Sequence, residues 1–263
     1  MSLTEILILS AAVTWAYVTA IWLLSLALCN ASIIDIFWGL GFVLLATLYH
    51  VTLDGFGGRS VLVTTLVLVW GLRLSGYIFL RNRGHGEDFR YQRWRDQAGD
   101  SFWWISYLRV FLVQGFALWL ISQPLRAAIA ADEPDHFTAF DAAGTLLFAV
   151  GFFFEAVGDW QLARFKADPA NAGKVMDRGL WRYTRHPNYF GEATLWWGFY
   201  VIATGAGSGW ATIFSPIVMT VLLMRVSGVA LLERTLQMTK PQYAEYIAKT
   251  SAFLPRPPRR KRV

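Results

Sequence analysis

Apolar runs of about twenty residues recur along this chain, and that repetition constrains its fold more than any other feature. The runs fall at about 3–29, 33–53, 60–80, 102–124, 139–163, 189–205 and 208–233. A helix needs ~20 apolar residues to cross a bilayer core, where the backbone must satisfy its own N–H and C=O groups. The pattern predicts an all-α integral membrane fold of seven transmembrane helices. Composition agrees, with 55% hydrophobic residues, 13 tryptophans and only 16% charged residues, against roughly a quarter charged in an ordinary soluble domain. No internal repeat or linker interrupts the chain, so residues 1–263 read as a single domain.

The placement of lysine and arginine predicts an orientation. With the N-terminus outside and the C-terminus cytoplasmic, the segments 81–101, 164–188 and 234–263 hold 19 of the 24 basic residues. The outside loops hold Arg59 and Arg126, and one of them carries Asp132, Glu133 and Asp135. The net charge of +6 is thus accounted for by topology, without nucleic acid as a partner. The tail at 255–263, ending Arg259-Arg260-Lys261-Arg262, reads as a juxtamembrane patch drawn to anionic lipid, each charge contributing ~1 kcal/mol. The first residues lack the basic region of a signal peptide, so the first run reads as a retained helix. The single Cys29 excludes an internal disulfide and a cysteine-built metal site.

Charges inside spans are costly and default to functional candidates. Asp35, Arg73, Arg109, Glu155, Asp159, Glu192, Arg225 and Glu233 all fall in the cytoplasmic half of their runs on this topology. His50, near the outer end of the second run, is the main exception. Glu155, Asp159 and Lys166 share one helical face that runs out into a cytoplasmic loop. Asn188 and Glu192 lie four apart at the start of the sixth run, behind Pro187, which suits a first helical turn. A helix N-terminus facing a basic loop is a natural phosphate site.

The two inner loops, Arg81 to Arg95 and Lys166 to Glu192, mix arginine, aromatic and glycine residues. Guanidinium groups grip phosphates in pairs of hydrogen bonds, and aromatic faces stack on a base. Arg83, Arg90, Tyr183 and Arg185 are candidates on that ground, and His186 for capping the helix or contacting phosphate. Gly84-x-Gly86 follows no strand and lacks a third glycine, so a Rossmann fingerprint fails. His85 and His186 form no pair with metal-ligand spacing, and no metal is expected.

The stretch Gly179-Leu-Trp-Arg-Tyr-Thr-Arg-His-Pro-Asn-Tyr-Phe-Gly-Glu192, with Arg225 and Thr250-Ser-Ala-Phe-Leu-Pro255, resembles the steroid 5α-reductase family, in particular its bacterial members. Asn82-Arg83-Gly84 and Asp159 with Lys166 also fit. The resemblance implies a reductase of the bacterial inner membrane that binds NADPH on the cytoplasmic side and reduces a double bond conjugated to a ketone. A 3-oxo-4-ene steroid entering from the bilayer is the implied substrate. By matching position, Asn82, Asp159, Lys166, Lys174, Asn188, Glu192 and Arg225 would contact the cofactor, and Asp35 would stand near the ketone. Where steroid-reducing members carry a tyrosine, this chain has Trp70, with Tyr77 two turns further on; both are candidates for the catalytic group. The Arg-His-Pro-x-Tyr element also occurs in isoprenylcysteine methyltransferases, so an S-adenosylmethionine enzyme is the nearest alternative. A non-enzymatic membrane protein is the other.

Overall fold

The computed structural model describes residues 1–226 and 229–259. Ser227 and Gly228 in the last apolar run, and Arg260, Lys261, Arg262 and Val263 of the basic tail, lie outside the described residues. The fold is all-α, with no strand among the described residues. The helices are α1 (Leu3–Ala27), α2 (Ile33–Thr52), α3 (Gly57–Asn82), α4 (Phe89–Ala98), α5 (Phe102–Ser106), α6 (Val113–Ile121), α7 (Gln123–Ala130), α8 (Ala139–Ala167), α9 (Pro187–Thr204), α10 (Phe214–Val221), α11 (Val229–Thr239) and α12 (Tyr243–Lys249). Two π-helical segments interrupt the series, Tyr107–Leu112 before α6 and Leu222–Val226 after α10.

Among the described residues, six helical stretches are long and apolar enough to cross a membrane: 3–27, 33–52, 57–82, 89–130, 139–167 and 207–225. The apolar run at 189–205 folds as α9, which is not among those six. Large apolar side chains such as Ile8 and Leu146, each 65% exposed, line the outer faces of these helices. In water such faces would be a liability; lipid as solvent removes the penalty.

By its contacts the chain divides into two compact units, Met1–Thr138 with Ala206–Thr212, and Ala139–Gly205 with Ile213–Val263. In the first, α2 and α3 approach closely because each presents a glycine. A Cβ added to Gly39 would sit 2.5 Å from the Gly71 carbonyl oxygen, and one on Gly71 2.7 Å from the Gly39 carbonyl oxygen. Small residues at such crossings are how membrane helices gain van der Waals contact without a hydrophobic driving force. Ser2 and Glu5 close a capping box at the start of α1, with bonds of 2.8 and 3.3 Å. Tryptophans then tie α1 to the 102–121 stretch: Trp15 Nε1 donates to the Tyr107 hydroxyl (2.8 Å), Trp22 Nε1 to the Trp103 carbonyl (2.9 Å) and Trp119 Nε1 to Ser10 Oγ (3.0 Å).

The second unit is built on α8 and α9. Gly144, Gly151 and Gly158 recur every seven residues, two helical turns, and so form a stripe on α8. Gly198, Gly191 and Pro187 of α9 face them in reverse order. A Cβ on Gly144 would lie 2.5 Å from the Gly198 oxygen, one on Gly151 2.5 Å from the Gly191 oxygen, and one on Gly158 3.1 Å from the Pro187 ring. This close antiparallel pair brings the polar residues of α8 next to the first turns of α9.

Candidate functional site

The α8–α9 contact of the second unit holds a buried polar group. Glu155, Asp159 and Glu192 are all buried, at 1%, 3% and 9% exposure. Asn188, on the first turn of α9 behind Pro187, donates from Nδ2 to Asp159 Oδ1 at 3.0 Å, and its own Oδ1 accepts from the Tyr189 N–H at 3.1 Å. Gly191 makes room: an added Cβ would meet the Glu155 backbone nitrogen. The face shared by Glu155 and Asp159, read from their spacing, is the face that meets α9. Lys166, further along it, is exposed at the end of α8.

Next to this group the C-terminal segment straps the loop that precedes α9. Arg185 is 7% exposed. Its guanidinium makes a two-pronged bond to Glu233 of α11, Nε to Oε1 at 2.7 Å and Nη2 to Oε2 at 3.1 Å, while Nη1 donates to the Thr250 carbonyl at 2.5 Å and the Ile247 carbonyl at 3.3 Å. His186 Nε2 lies 3.2 Å from Glu233 Oε1, and its ring stacks on Tyr189 with centroids 5.6 Å apart. The backbone closes the strap: Arg185 N–H donates to the Ser251 carbonyl and Arg256 N–H to the Tyr183 carbonyl, both at 2.9 Å. Thr184 Oγ1 donates to the Phe253 carbonyl at 2.8 Å. The loop is also pinned to α8, by Trp181 Nε1 to the Gly158 carbonyl (3.0 Å) and Leu180 N–H to Gln161 Oε1 (3.0 Å).

The first unit has its own polar cluster, at the start of α2. Both carboxylate oxygens of Asp35 accept: Oδ2 from Arg90 Nη2 at 2.8 Å and Oδ1 from the Tyr91 hydroxyl at 2.7 Å. Gln114 Nε2 donates to the Tyr91 hydroxyl at 3.2 Å. Arg90 also holds Asp88, Nε to Oδ1 at 2.9 Å. Burial pushes the Asp88 carboxyl up, but the hydrogen bonds from Arg90 outweigh it and hold it below the ordinary aspartate value. Glu87 fastens the loop to the α1–α2 turn, accepting from Ala31 N–H at 2.6 Å and from Arg95 at 2.8 and 2.9 Å.

The remaining sequence candidates are more dispersed. Trp70 is fully buried, its ring 5.6 Å from that of Phe42. Tyr77 is half-buried, with the guanidinium groups of Arg73 and Arg81 over its ring at 5.3 and 5.8 Å. Asn82 Oδ1 accepts from Arg81 Nε at 3.2 Å, and Arg83 is exposed at the end of α3. Lys174 is exposed, and its carbonyl accepts from Lys240 Nζ at 2.5 Å. Tyr183 is exposed. Arg225, also exposed, lies in the second π segment, as Arg109 lies in the first; such segments are uncommon in helices and recur at functional sites. The sequence does not mark Tyr91, and it shows Glu233 only as an intramembrane charge. Their partners stand 56 and 47–48 positions away, where no local spacing can show them.

Comparison with known proteins places the chain in a family. Residues 21–250 match the family described as "Protein of unknown function (DUF1295)", a steroid 5α-reductase-like membrane family. The chain is 27% identical over 267 aligned positions to an uncharacterized protein of Schizosaccharomyces pombe, covering 90% of this chain and 76% of that one. A shorter match, 39% identical over 64 residues, links it to a probable O-methyltransferase of Ustilaginoidea virens, covering 24% of this chain and 22% of the relative. No solved structure matches. With a match that runs over most of its length, the chain belongs to the DUF1295 family of membrane proteins.

Proposed function

We propose that the protein is an NADPH-dependent membrane reductase acting on a double bond conjugated to a ketone in a lipophilic, steroid-like substrate. The observation that carries this reading is the hydrogen bond from half-buried Asn188, on the first turn of α9, to the buried carboxylate of Asp159. A buried carboxylate is costly unless it is paired or serves a ligand, and the half-buried carboxamide beside it keeps a face open to one. The donor set fits a dinucleotide: polar hydrogen-bonding groups at the helix start, Lys166 and Lys174 for phosphates, and the 45% exposed Tyr183 ring for a base. Glu192, one turn beyond Asn188, and Arg225 belong to the same assignment. Arg185 and His186 are assigned a bracing role, because their polar atoms are engaged by Glu233 and the C-terminal strap.

When bound, NADPH supplies the hydride. The protein's own contribution to protonation is assigned to Tyr91 with Asp35. A hydroxyl already donating to a carboxylate is oriented, and a phenol can both donate and lose a proton, which the indole of Trp70 cannot. In this reading the chain crosses the membrane seven times, α9 included, with the N-terminus outside and the second unit's basic loop on the cytoplasmic face of a bacterial inner membrane.

A methyltransferase using S-adenosylmethionine is the second reading, favoured by the 64-residue match to a probable O-methyltransferase. The two separate in one experiment. The purified protein in nanodiscs is given NADPH and a 4-ene-3-one steroid, and nicotinamide absorbance is followed; a parallel sample receives labelled S-adenosylmethionine and membrane lipid extract. Enone-dependent loss of NADPH that drops at least tenfold in Tyr91→Phe supports the reductase. Label transfer without NADPH oxidation establishes the methyltransferase instead.

A further inference from the structure

The second unit contains a cleft that the proposed reaction does not use. It holds about 670 Å³, within the roughly 300–1,000 Å³ of small-ligand sites. One wall is the turn from Asp177 to Arg182, and the other is α12, with Glu245, Tyr246 and Lys249. Both walls are fixed. The Tyr246 hydroxyl donates to the Trp181 carbonyl, Trp181 Nε1 is bonded to α8, and Arg259 N–H donates to the Lys249 carbonyl at 2.9 Å. Gly179, at φ +57°, makes the turn possible, since an added Cβ there would also strike the Gln161 side chain.

The charges on these walls are unevenly used. Lys249 Nζ is paired with Glu245 at 2.6 Å. Arg178 and Arg182 are exposed and make no side-chain hydrogen bond or ion pair among the described residues. The other arginine of this loop, Arg185, is fully engaged, so unpaired guanidinium groups are not a general property of the segment. Two such groups on one cleft suit a phosphate by charge and by donor type, since phosphate takes paired N–H bonds from arginine. Asp177 on the same wall disfavours a bare polyanion and suits a ligand whose other end carries hydroxyl or amine donors.

We propose that this cleft binds a phosphate ester bearing hydroxyl or amine donors, with Arg178 and Arg182 on the phosphate and Asp177 on the donor end. A glycerophospholipid headgroup and a soluble phosphorylated metabolite share this chemistry. The test uses glycerophosphoethanolamine as soluble probe, by calorimetry, and retention of phosphatidylethanolamine from nanodiscs, by native mass spectrometry. Wild type is expected to bind at least one probe saturably, and Arg178→Gln/Arg182→Gln to weaken that binding about tenfold or more, the size of a lost charged hydrogen bond. Arg81→Gln, an exposed arginine elsewhere, is expected to leave it unchanged. Retention of lipid with weak soluble binding assigns the headgroup; the converse assigns a metabolite. Saturable binding of neither probe, or equal binding by wild type and the double variant, overturns the proposal. NADPH binding is measured on the same samples: its loss in the double variant alone would assign the cleft to the cofactor and also overturn the proposal.

Discussion

The two polar clusters of this protein are built differently. In the first unit, Asp35 lies on α2, Arg90 and Tyr91 on the first turn of α4 and Asp88 at its N-cap, and the Arg90–Asp35 pair keeps 25% and 20% of its side-chain surface exposed. In the second, Arg185 and Glu233 keep only 8% and 16%, and the pair is tied by further bonds to a C-terminal segment more than sixty residues away in the chain. The first cluster is the more exposed of the two at its ion pair. The second is a buried cross-brace whose failure should spread through its unit.

The largest expected effect follows from breaking the cross-brace. Arg185→Met leaves Glu233 buried beside His186 alone and releases two carbonyls, and losing one partner of a buried pair costs about 3–5 kcal/mol. Thermal melts of the purified protein should fall steeply, and limited proteolysis should release the C-terminal segment. Arg90→Met, at the more exposed pair, should cost about 1 kcal/mol. Equal losses in the two variants would remove the distinction between the clusters.

A smaller effect is expected at the α8–α9 crossing. Gly191→Val places methyl groups against the Glu155 backbone, and overpacking of this kind costs about 1–3 kcal/mol. Gly76→Ala in α3, where an added Cβ meets nothing within 4 Å, should be neutral or slightly stabilising. The two variants are read side by side in the same melt.

The smallest effect is on pH dependence. The Asp88 carboxyl is held below its ordinary value by Arg90, so its stabilising contribution is complete above the unfolded value of about 3.9 and fades as pH falls through the folded one. Stability should be flat from this source between pH 7 and 5 and decline below about 4. Asp88→Asn should remove that part of the decline and leave the rest of the acid profile in place.

Much of the helical plan was written in the apolar runs, because lipid imposes a length on every crossing. The start of α9 was legible from Pro187, and the inward face of α8 from the spacing of Glu155 and Asp159. The run at 189–205 forms a helix but falls outside the six stretches identified by length and composition, because its first turns carry the polar residues that make it interesting. The glycines at 144, 151 and 158 are visible in the sequence, yet they gain meaning only when Gly198 and Gly191 are seen opposite. Glu233 shows the limit most clearly. In the sequence it is one more acid near a helix end, and only the fold shows that Arg185 and His186 converge on it. The motif Thr250 to Pro255 was recognisable as a family feature, but its role as a strap rests on backbone hydrogen bonds that no side chain announces.

The central claim is that the Asp159–Asn188 pair at the start of α9 serves a nicotinamide cofactor, and equilibrium binding tests it most directly. NADPH is titrated into wild type and Asn188→Ala in nanodiscs, with thermal stability recorded on the same samples. The account predicts saturable binding to wild type, at least tenfold weaker binding to Asn188→Ala, and for that variant a cooperative melt lowered only as far as one lost hydrogen bond to Asp159 requires, about 1–3 kcal/mol. Absent NADPH binding in the wild type, or equal affinity in the two proteins, would contradict it.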